Sequence, residues 1–145
     1  MFDADSFLNQ TTAAANATVI PPVPEGEYIG IIKMLKARVN NDGSVVMDVT
    51  WDIDDVNLKE TLKRKMITTR QSVWLDLDAS GNLASGEADN VSLGRLRAAV
   101  GQNKEGSDWS PQMLIGKAAK VKVGHQVDKM SGEIRDQVKA VTALN

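Results

Sequence analysis

The chain has 145 residues, of which 42% are apolar and 25% are charged, as is typical of a single soluble globular domain. It contains no cysteine, which excludes disulfides and thiolate metal sites, and its apolar runs are too short to cross a membrane. The N-terminus is acidic and lacks the basic and apolar regions of a signal peptide. We therefore expect a cytoplasmic protein.

The formal net charge is −2, but this charge is unevenly distributed along the chain. The segment Gly116–Asn145 contains six basic and three acidic residues and carries +3, so the part before it carries −5. This C-terminal excess agrees with a basic binding face, and it agrees equally with an ordinary solvated strand surface.

Residues 1–23 are predicted to form a flexible N-terminal arm, and residues 24–145 to form one folded domain. The arm ends in a stiff, extended linker, Pro21–Pro24. Its large apolar residues are candidates for docking on a neighbouring molecule: Phe2, Phe7 and Leu8.

A long first strand is predicted at Glu27–Val39, because Gly30 and the isoleucines around it disfavour a helix. Such a strand can bend or bulge at Gly30 and can then take part in both halves of a small closed sheet. A turn with hairpin chemistry, Asn40–Ser44, leads to a second strand at Val45–Ile53. Alternation predicts an inward face for Val45, Met47, Val49, Trp51 and Ile53.

Three further strands are predicted at Lys65–Leu77, Lys117–Val127 and Gln137–Ala143. In the first of these, the residues predicted to point inward are Ile67, Thr69, Val73, Leu75 and Leu77. The residues predicted to point outward are Met66, Thr68, Arg70, Ser72 and Trp74.

A helix is predicted at Ser92–Val100, with Ser92 as its N-cap and Gly101 ending it. The fold is therefore expected to be mainly β, with this helix between strands three and four. That order is typical of an OB-fold, a five-stranded antiparallel Greek-key barrel. A small β-sandwich is the structural alternative.

Five short motifs carry a resemblance to a known family: Pro24–Tyr28, the glycine-containing first hairpin, Leu93–Gly101, Gly116-Lys117 and Val138-Lys139. On these residues, the chain from Val23 to Leu144 resembles the small OB-fold single-stranded DNA-binding proteins that tailed phages encode. Many of these proteins recruit partners through an acidic C-terminal tail. The last residues of this sequence, Val141–Asn145, contain no acidic residue, so we do not expect recruitment of that kind.

The resemblance implies sequence-nonspecific binding of single-stranded DNA during phage DNA replication or recombination, in the host bacterial cytoplasm. Because the sequence carries no catalytic motif and no apolar run of membrane-spanning length, we expect no enzyme activity, no cofactor and no membrane partner. Two further kinds of partner remain open, namely a second copy bound through the arm and replication or recombination proteins. The alternative function is that of an interaction or assembly module that does not bind DNA.

Non-specific binding of a single strand requires aromatic faces for the bases and cations for the phosphates. The candidate binding residues are Trp74 and Arg70 on the third strand, Lys120 and Lys122 on the fourth, and the loop residues Arg38, Lys129 and Arg135. Trp74 could instead cap the barrel or pack under the arm. Trp51 is assigned to the core, while the roles of Tyr28 and Trp109 stay open.

The segment Asp76–Glu87 has the spacing of a calcium-binding loop, with four potential ligands at Asp76, Asp78, Ser80 and Glu87. A strand rather than a helix precedes this segment, so we favour a solvent-exposed turn at Gly81-Asn82 and expect no bound metal. His125, the single histidine, is interpreted as structural, and no motif for a nucleophile or a phosphate-binding loop is present.

Overall fold

A computed structural model describes residues 1–144, which form five β-strands and three short α-helices. In chain order the elements are α1 (Ala4–Leu8), β1 (Gly26–Val39), β2 (Val45–Ile53), α2 (Val56–Leu62), β3 (Thr68–Leu75), α3 (Val91–Ala99), a 3-10 helix (Pro111–Leu114), β4 (Ala118–Val127) and β5 (Ile134–Thr142). Across residues 1–144, every helix falls short of the length and apolar character needed to span a membrane.

The strands form one antiparallel sheet in the order β3-β2-β1-β4-β5. The central strand β1 pairs with β2 through Gly30–Val39 and with β4 through Gly26–Ile31, so it belongs to both halves of the sheet as predicted. Its register with β2 shifts between Ile32 and Met34. The irregularity expected at Gly30 therefore lies a few residues further along the strand.

Gly30 has a packing role instead. A Cβ atom at this position would lie only 2.9 Å from Cε3 of Trp51, which is fully buried. Glycine therefore allows the backbone of β1 to approach the indole ring in the core closely.

Three of the predicted strand boundaries are wrong by two or three residues. Strand β3 begins at Thr68, three residues after the predicted start. It ends at Leu75, two residues before the predicted end, because the chain leaves the sheet at Asp76, which bonds to Asn90 instead. Leu77, predicted to point inward, is consequently exposed. Strand β5 begins at Ile134, three residues before the predicted start, because Ile134 already pairs with Val127 across the last hairpin.

The two edge strands, β3 and β5, run in the same direction and contact each other. Among the described residues, no backbone ladder joins them, so the sheet is open along this seam. A side-chain hydrogen bond crosses the seam, from Thr69 Oγ1 to Asp136 Oδ1 at 2.7 Å. The prediction of a mainly β chain with five antiparallel strands is thus confirmed, whereas backbone closure into a barrel is not seen.

Helix α3 covers the core with Leu93 and Leu96 and contacts both edge strands. It begins one residue before the predicted Ser92, and its N-cap is Asn90 in a left-handed conformation. A second helix, α2, lies between β2 and β3, within the polar segment Asp54–Arg64 whose sequence allows a short helical turn. It is capped by Asp55, whose side chain accepts the N–H of Leu58 at 3.0 Å.

The linker before β1 is attached to the domain at Val23, which is fully buried. The Val23 N–H donates to Asp136 Oδ2 at 2.8 Å, and His125 Nε2 lies 2.6 Å from the Val23 carbonyl oxygen. This contact gives His125 a structural role, since Nε2 must donate to a carbonyl. The core therefore begins at Val23, while residues 1–20 are exposed and the flexibility expected of them stays a prediction.

Candidate nucleic-acid interface

The antiparallel register places Arg38, Val46 and Trp74 side by side across β1, β2 and β3. Val46 lies on the outward face, opposite the core side chains of Met47 and Val49, yet it is fully buried. Its cross-strand neighbours Arg38 and Trp74 cover it on that face. Trp74 itself is 56% exposed and lies outside the core, so its indole is accessible at the surface.

The next row of the outward face holds Lys36, Asp48 and Ser72. Asp48 is nearly buried and accepts hydrogen bonds from Arg38 Nε at 2.7 Å and from Ser72 Oγ at 3.3 Å. Arg38 also donates to the side chain of Asn40 in the β1–β2 turn. Arg38 was predicted to lie in a loop, but it lies in β1, paired with Val46 of β2. Its charge is offset by the Asp48 carboxylate, and its side chain is held in place.

Lys36 is a cation that the sequence analysis missed. It is exposed and lies directly opposite Asp48, on the same face of β1 as Arg38. Lys36 can be identified from the alternation of side chains along a strand, because Met34, Lys36 and Arg38 alternate along β1 with the residues that point inward.

The third row contains Met34, Thr50 and Arg70. Arg70 is exposed, and no ion pair of its guanidinium is found among residues 1–144. It is available to bind an anion, in contrast to Arg38. Trp74 and Arg70 lie on the same face of β3, four residues apart, as predicted.

Arg70 also lines a cavity of about 930 Å³, which we call the seam cavity. It lies between residues 18–22 of the arm, the outward face of the sheet and the start of β5. Its charged lining residues are Lys33, Arg70, Arg135, Glu133 and Asp136. Its apolar lining residues include Met34, Met66, Ile134, Val19 and Ile20.

The seam cavity brings together two of the predicted cations, Arg70 and Arg135. Arg135 was predicted to lie in a loop, but it lies in β5, paired with Gln126 of β4. The Arg135 side chain is 67% exposed and lies 3.4 Å from a carboxylate oxygen of Asp128. Hydrogen bonds from the N–H groups of Met130 and Ser131, assisted by the Arg135 charge, hold the pKa of Asp128 below its ordinary value of 3.8. Lys129 is exposed in the same turn, between β4 and β5.

Lys120 and Lys122 lie on a different part of the surface. They are opposite Ile29 and Glu27 at the start of β1, whereas the Trp74 row crosses β1 at Arg38. Arg38 follows Ile29 by nine positions, which corresponds to about 30 Å along an extended strand. The structure therefore does not bring these two lysines together with Trp74, and Lys122 faces an acidic neighbour.

Two of the four candidate calcium ligands, Asp76 and Asp78, accept hydrogen bonds from backbone N–H groups between β3 and α3. Asp76 Oδ2 accepts the N–H of Asn90 at 2.8 Å, and Asp78 Oδ1 accepts the N–H groups of Ser80 and Asn82. Gly81 has a φ of 84° and donates to the Asp78 carbonyl, which forms the predicted turn. Within residues 1–144, no three or more His, Asp or Glu side chains converge as a metal site would require.

The two aromatic residues left open by the sequence pack locally. The Trp109 ring lies 4.1 Å from the Arg97 guanidinium carbon, and its Nε1 donates to Gln102 Oε1 at 2.8 Å. The Tyr28 hydroxyl donates to the Pro24 carbonyl at 2.7 Å. Burial, and then the negative charge of Asp55, raise the pKa of Tyr28 above 10.0.

Comparison with protein-family models and with characterised proteins gave no match for this sequence. The chemistry of the outward face therefore carries the functional argument. An exposed indole can stack on a planar ring, and a guanidinium about 13 Å further along the same face of the strand can bind phosphate. These two groups, with the seam cavity at one end, form a surface suited to a chain of bases and phosphates.

Proposed function

We propose that this protein binds single-stranded DNA without sequence preference, along the outward face of β1, β2 and β3. The observation that carries the proposal is the exposed Trp74 on the same face of β3 as the exposed Arg70. Base stacking on an aromatic side chain contributes about 1–3 kcal/mol per base and tolerates every base, because each has a π-face.

The strand connectivity supports an OB-fold assignment. Strands β1, β2 and β3 follow one another as neighbours, and β4 returns to lie beside β1, which is the spatial order of a Greek key. The contact between β3 and β5 curls the sheet toward a barrel. In OB-folds the face of strands two and three, with the loops between strands one and two and between four and five, binds oligonucleotides.

The proposed groove follows that geometry. Trp74 and Arg70 lie on β3, Arg38 borders the β1–β2 turn, and Arg135 borders the β4–β5 turn. The proposed mechanism is reversible binding, with stacking on Trp74 and phosphate neutralisation by the two arginines of the seam cavity. It requires no covalent step and no cofactor. The resemblance to phage proteins suggests a role in phage DNA replication or recombination.

A second candidate function is that of a protein-interaction module. The observation that favours it is the pair of exposed rings in the arm, Phe2 and Phe7, whose centroids are 5.5 Å apart. Exposed aromatic residues of this kind are common anchors in protein interfaces.

An anisotropy titration of a labelled, unstructured oligonucleotide tests the first proposal. We expect saturable binding to the single strand, clearly weaker binding to a duplex of the same length, and an affinity that falls with salt. Absence of binding at low salt by a folded protein would refute DNA binding and would favour the interaction module.

A further inference from the structure

The N-terminal arm has a composition that sets it apart from the rest of the chain. Residues 1–23 contain two acidic residues, Asp3 and Asp5, and no basic residue. The same short segment carries two exposed aromatic rings, that of Phe7 within α1 and that of Phe2 just before it. The Asp3 carboxylate caps α1 by accepting the N–H groups of Asp5 and Ser6, which leaves Asp5 as the carboxylate that the arm presents to a partner. The arm therefore presents one exposed carboxylate together with two aromatic rings, as a single strand of DNA presents phosphates and bases.

The seam cavity has the complementary composition. Lys33, Arg70 and Arg135 contribute three cations, and Met34, Met66 and Ile134 contribute apolar surface. Of its two carboxylates, that of Asp136 is already occupied by Thr69 and the Val23 N–H. Methionine side chains pack well against aromatic rings, and arginines bind carboxylates through paired hydrogen bonds.

The arm is also anchored at the cavity. Thr18–Pro22 form part of its lining, and Arg64 donates to the Pro21 carbonyl at 2.9 Å. Only the nine residues 9–17 separate this lining segment from α1. Nine residues extend to about 30 Å at most, which is sufficient for α1 to fold back over the cavity.

We propose that the segment Phe2–Leu8 docks in the seam cavity of its own chain and competes there with single-stranded DNA. A tether of this length gives an effective concentration in the millimolar range, so a weak contact suffices and a second copy is outcompeted. Docking of the arm does not depend on DNA binding, whereas competition between the arm and DNA rests on the proposed function.

The docking is tested without DNA by a spin label on the arm. The chain has no native cysteine, so Gln10→Cys gives one attachment site just beyond α1. We expect a nitroxide there to broaden the methyl signals of Met34 and Met66 in the full-length protein. The broadening should be lost with Phe2→Ala and Phe7→Ala and should persist with the matched control Thr11→Ala and Thr12→Ala.

Two results would overturn the docking. One is broadening that is absent or is unchanged by the Phe2 and Phe7 substitutions. The other is broadening that appears only when spin-labelled protein is mixed with isotopically labelled, nitroxide-free protein, which would identify a second copy as the occupant.

The competition is tested by oligonucleotide affinity in the same variants. If the closed form holds about two-thirds of the molecules, the double phenylalanine variant should bind about threefold more tightly. This variant keeps Asp3 and Asp5, so a gain does not reflect weaker charge repulsion. If the broadening is lost but the affinity for the oligonucleotide is unchanged, the arm does not compete with DNA. If no variant binds DNA, the proposed function is refuted. In that case the spin-label experiment still shows whether the arm docks.

Discussion

Thr69 and Asp136 join the two edge strands of the sheet through one hydrogen bond of 2.7 Å, from a hydroxyl on β3 to a carboxylate on β5. The second oxygen of the same carboxylate accepts the N–H of Val23. Asp136 thus connects β5 both to β3, across the open seam, and to the linker at Val23.

Replacing Asp136 by asparagine should destabilise the fold, because the amide has one acceptor oxygen where the carboxylate uses two. We expect the free energy of unfolding to fall by about 1–3 kcal/mol, as measured by urea denaturation. Glu133→Gln, a neighbouring exposed carboxylate, is the control and should change stability by less than about 0.5 kcal/mol. Equal stability of Asp136→Asn and the wild type would show that the seam does not depend on this carboxylate.

Trp74→Ala should weaken oligonucleotide binding by about 1–3 kcal/mol, because one stacked base loses its platform. The measurement is an anisotropy titration, accompanied by a melting curve, since Trp74 also covers Val46. Ile29→Ala is the matched control, as Ile29 is exposed at the opposite end of β1. An equal loss in both variants would contradict a specific stacking site at Trp74.

The salt dependence of binding should distinguish the two groups of cations. Arg70→Ala with Arg135→Ala should reduce the slope of log affinity against log salt by about 0.7 for each phosphate contact removed. Lys120→Ala with Lys122→Ala should leave the slope nearly unchanged, because these lysines lie away from Trp74. If the lysine variant instead changes the slope and the arginine variant does not, the DNA binds along β4 rather than along β3.

Gly30→Ala should destabilise the core, because the new Cβ would meet Cε3 of Trp51 at 2.9 Å and Cγ1 of Val121 at 3.3 Å. Overpacking of this kind costs about 1–3 kcal/mol in the free energy of unfolding. The same substitution at Gly94, inside α3, meets no atom closer than 3.8 Å and should be stabilising. Thermal melting of the two variants therefore gives shifts of opposite sign if the packing is as described.

Millimolar calcium should leave the melting temperature unchanged, because Asp76 and Asp78 are occupied by N–H groups of their own loop. A ligand that binds only the folded protein would raise it. Calorimetry with and without calcium makes the comparison, and a chelator serves as the control. A saturable calcium signal that disappears in Asp76→Ala would contradict the assignment of a turn.

Alternation along β2 was sufficient to predict that strand and the burial of Trp51, because both depend on local sequence. The ends of β3 and β5 were not predictable in this way, since they depend on the bond between Asp76 and Asn90 and on pairing with Val127. The outward positions of Arg70 and Trp74 were predictable because side chains alternate between the two faces of a strand. The separation of Lys120 from Trp74 and the attachment of Val23 depend on contacts between distant parts of the chain, for which single-sequence patterns carry no signal.

The pairing of Asp76 with Asn90 has a consequence for how this chain tolerates change. Three hydrogen bonds join these two residues, so both ends of the loop between β3 and α3 are fixed independently of what lies between them. The tip at Gly81 is exposed and distant along the chain from either end. Extra residues inserted at the tip would lengthen a loop that is already closed, at a small cost in entropy, which makes this the natural point to attach a reporter or a second domain.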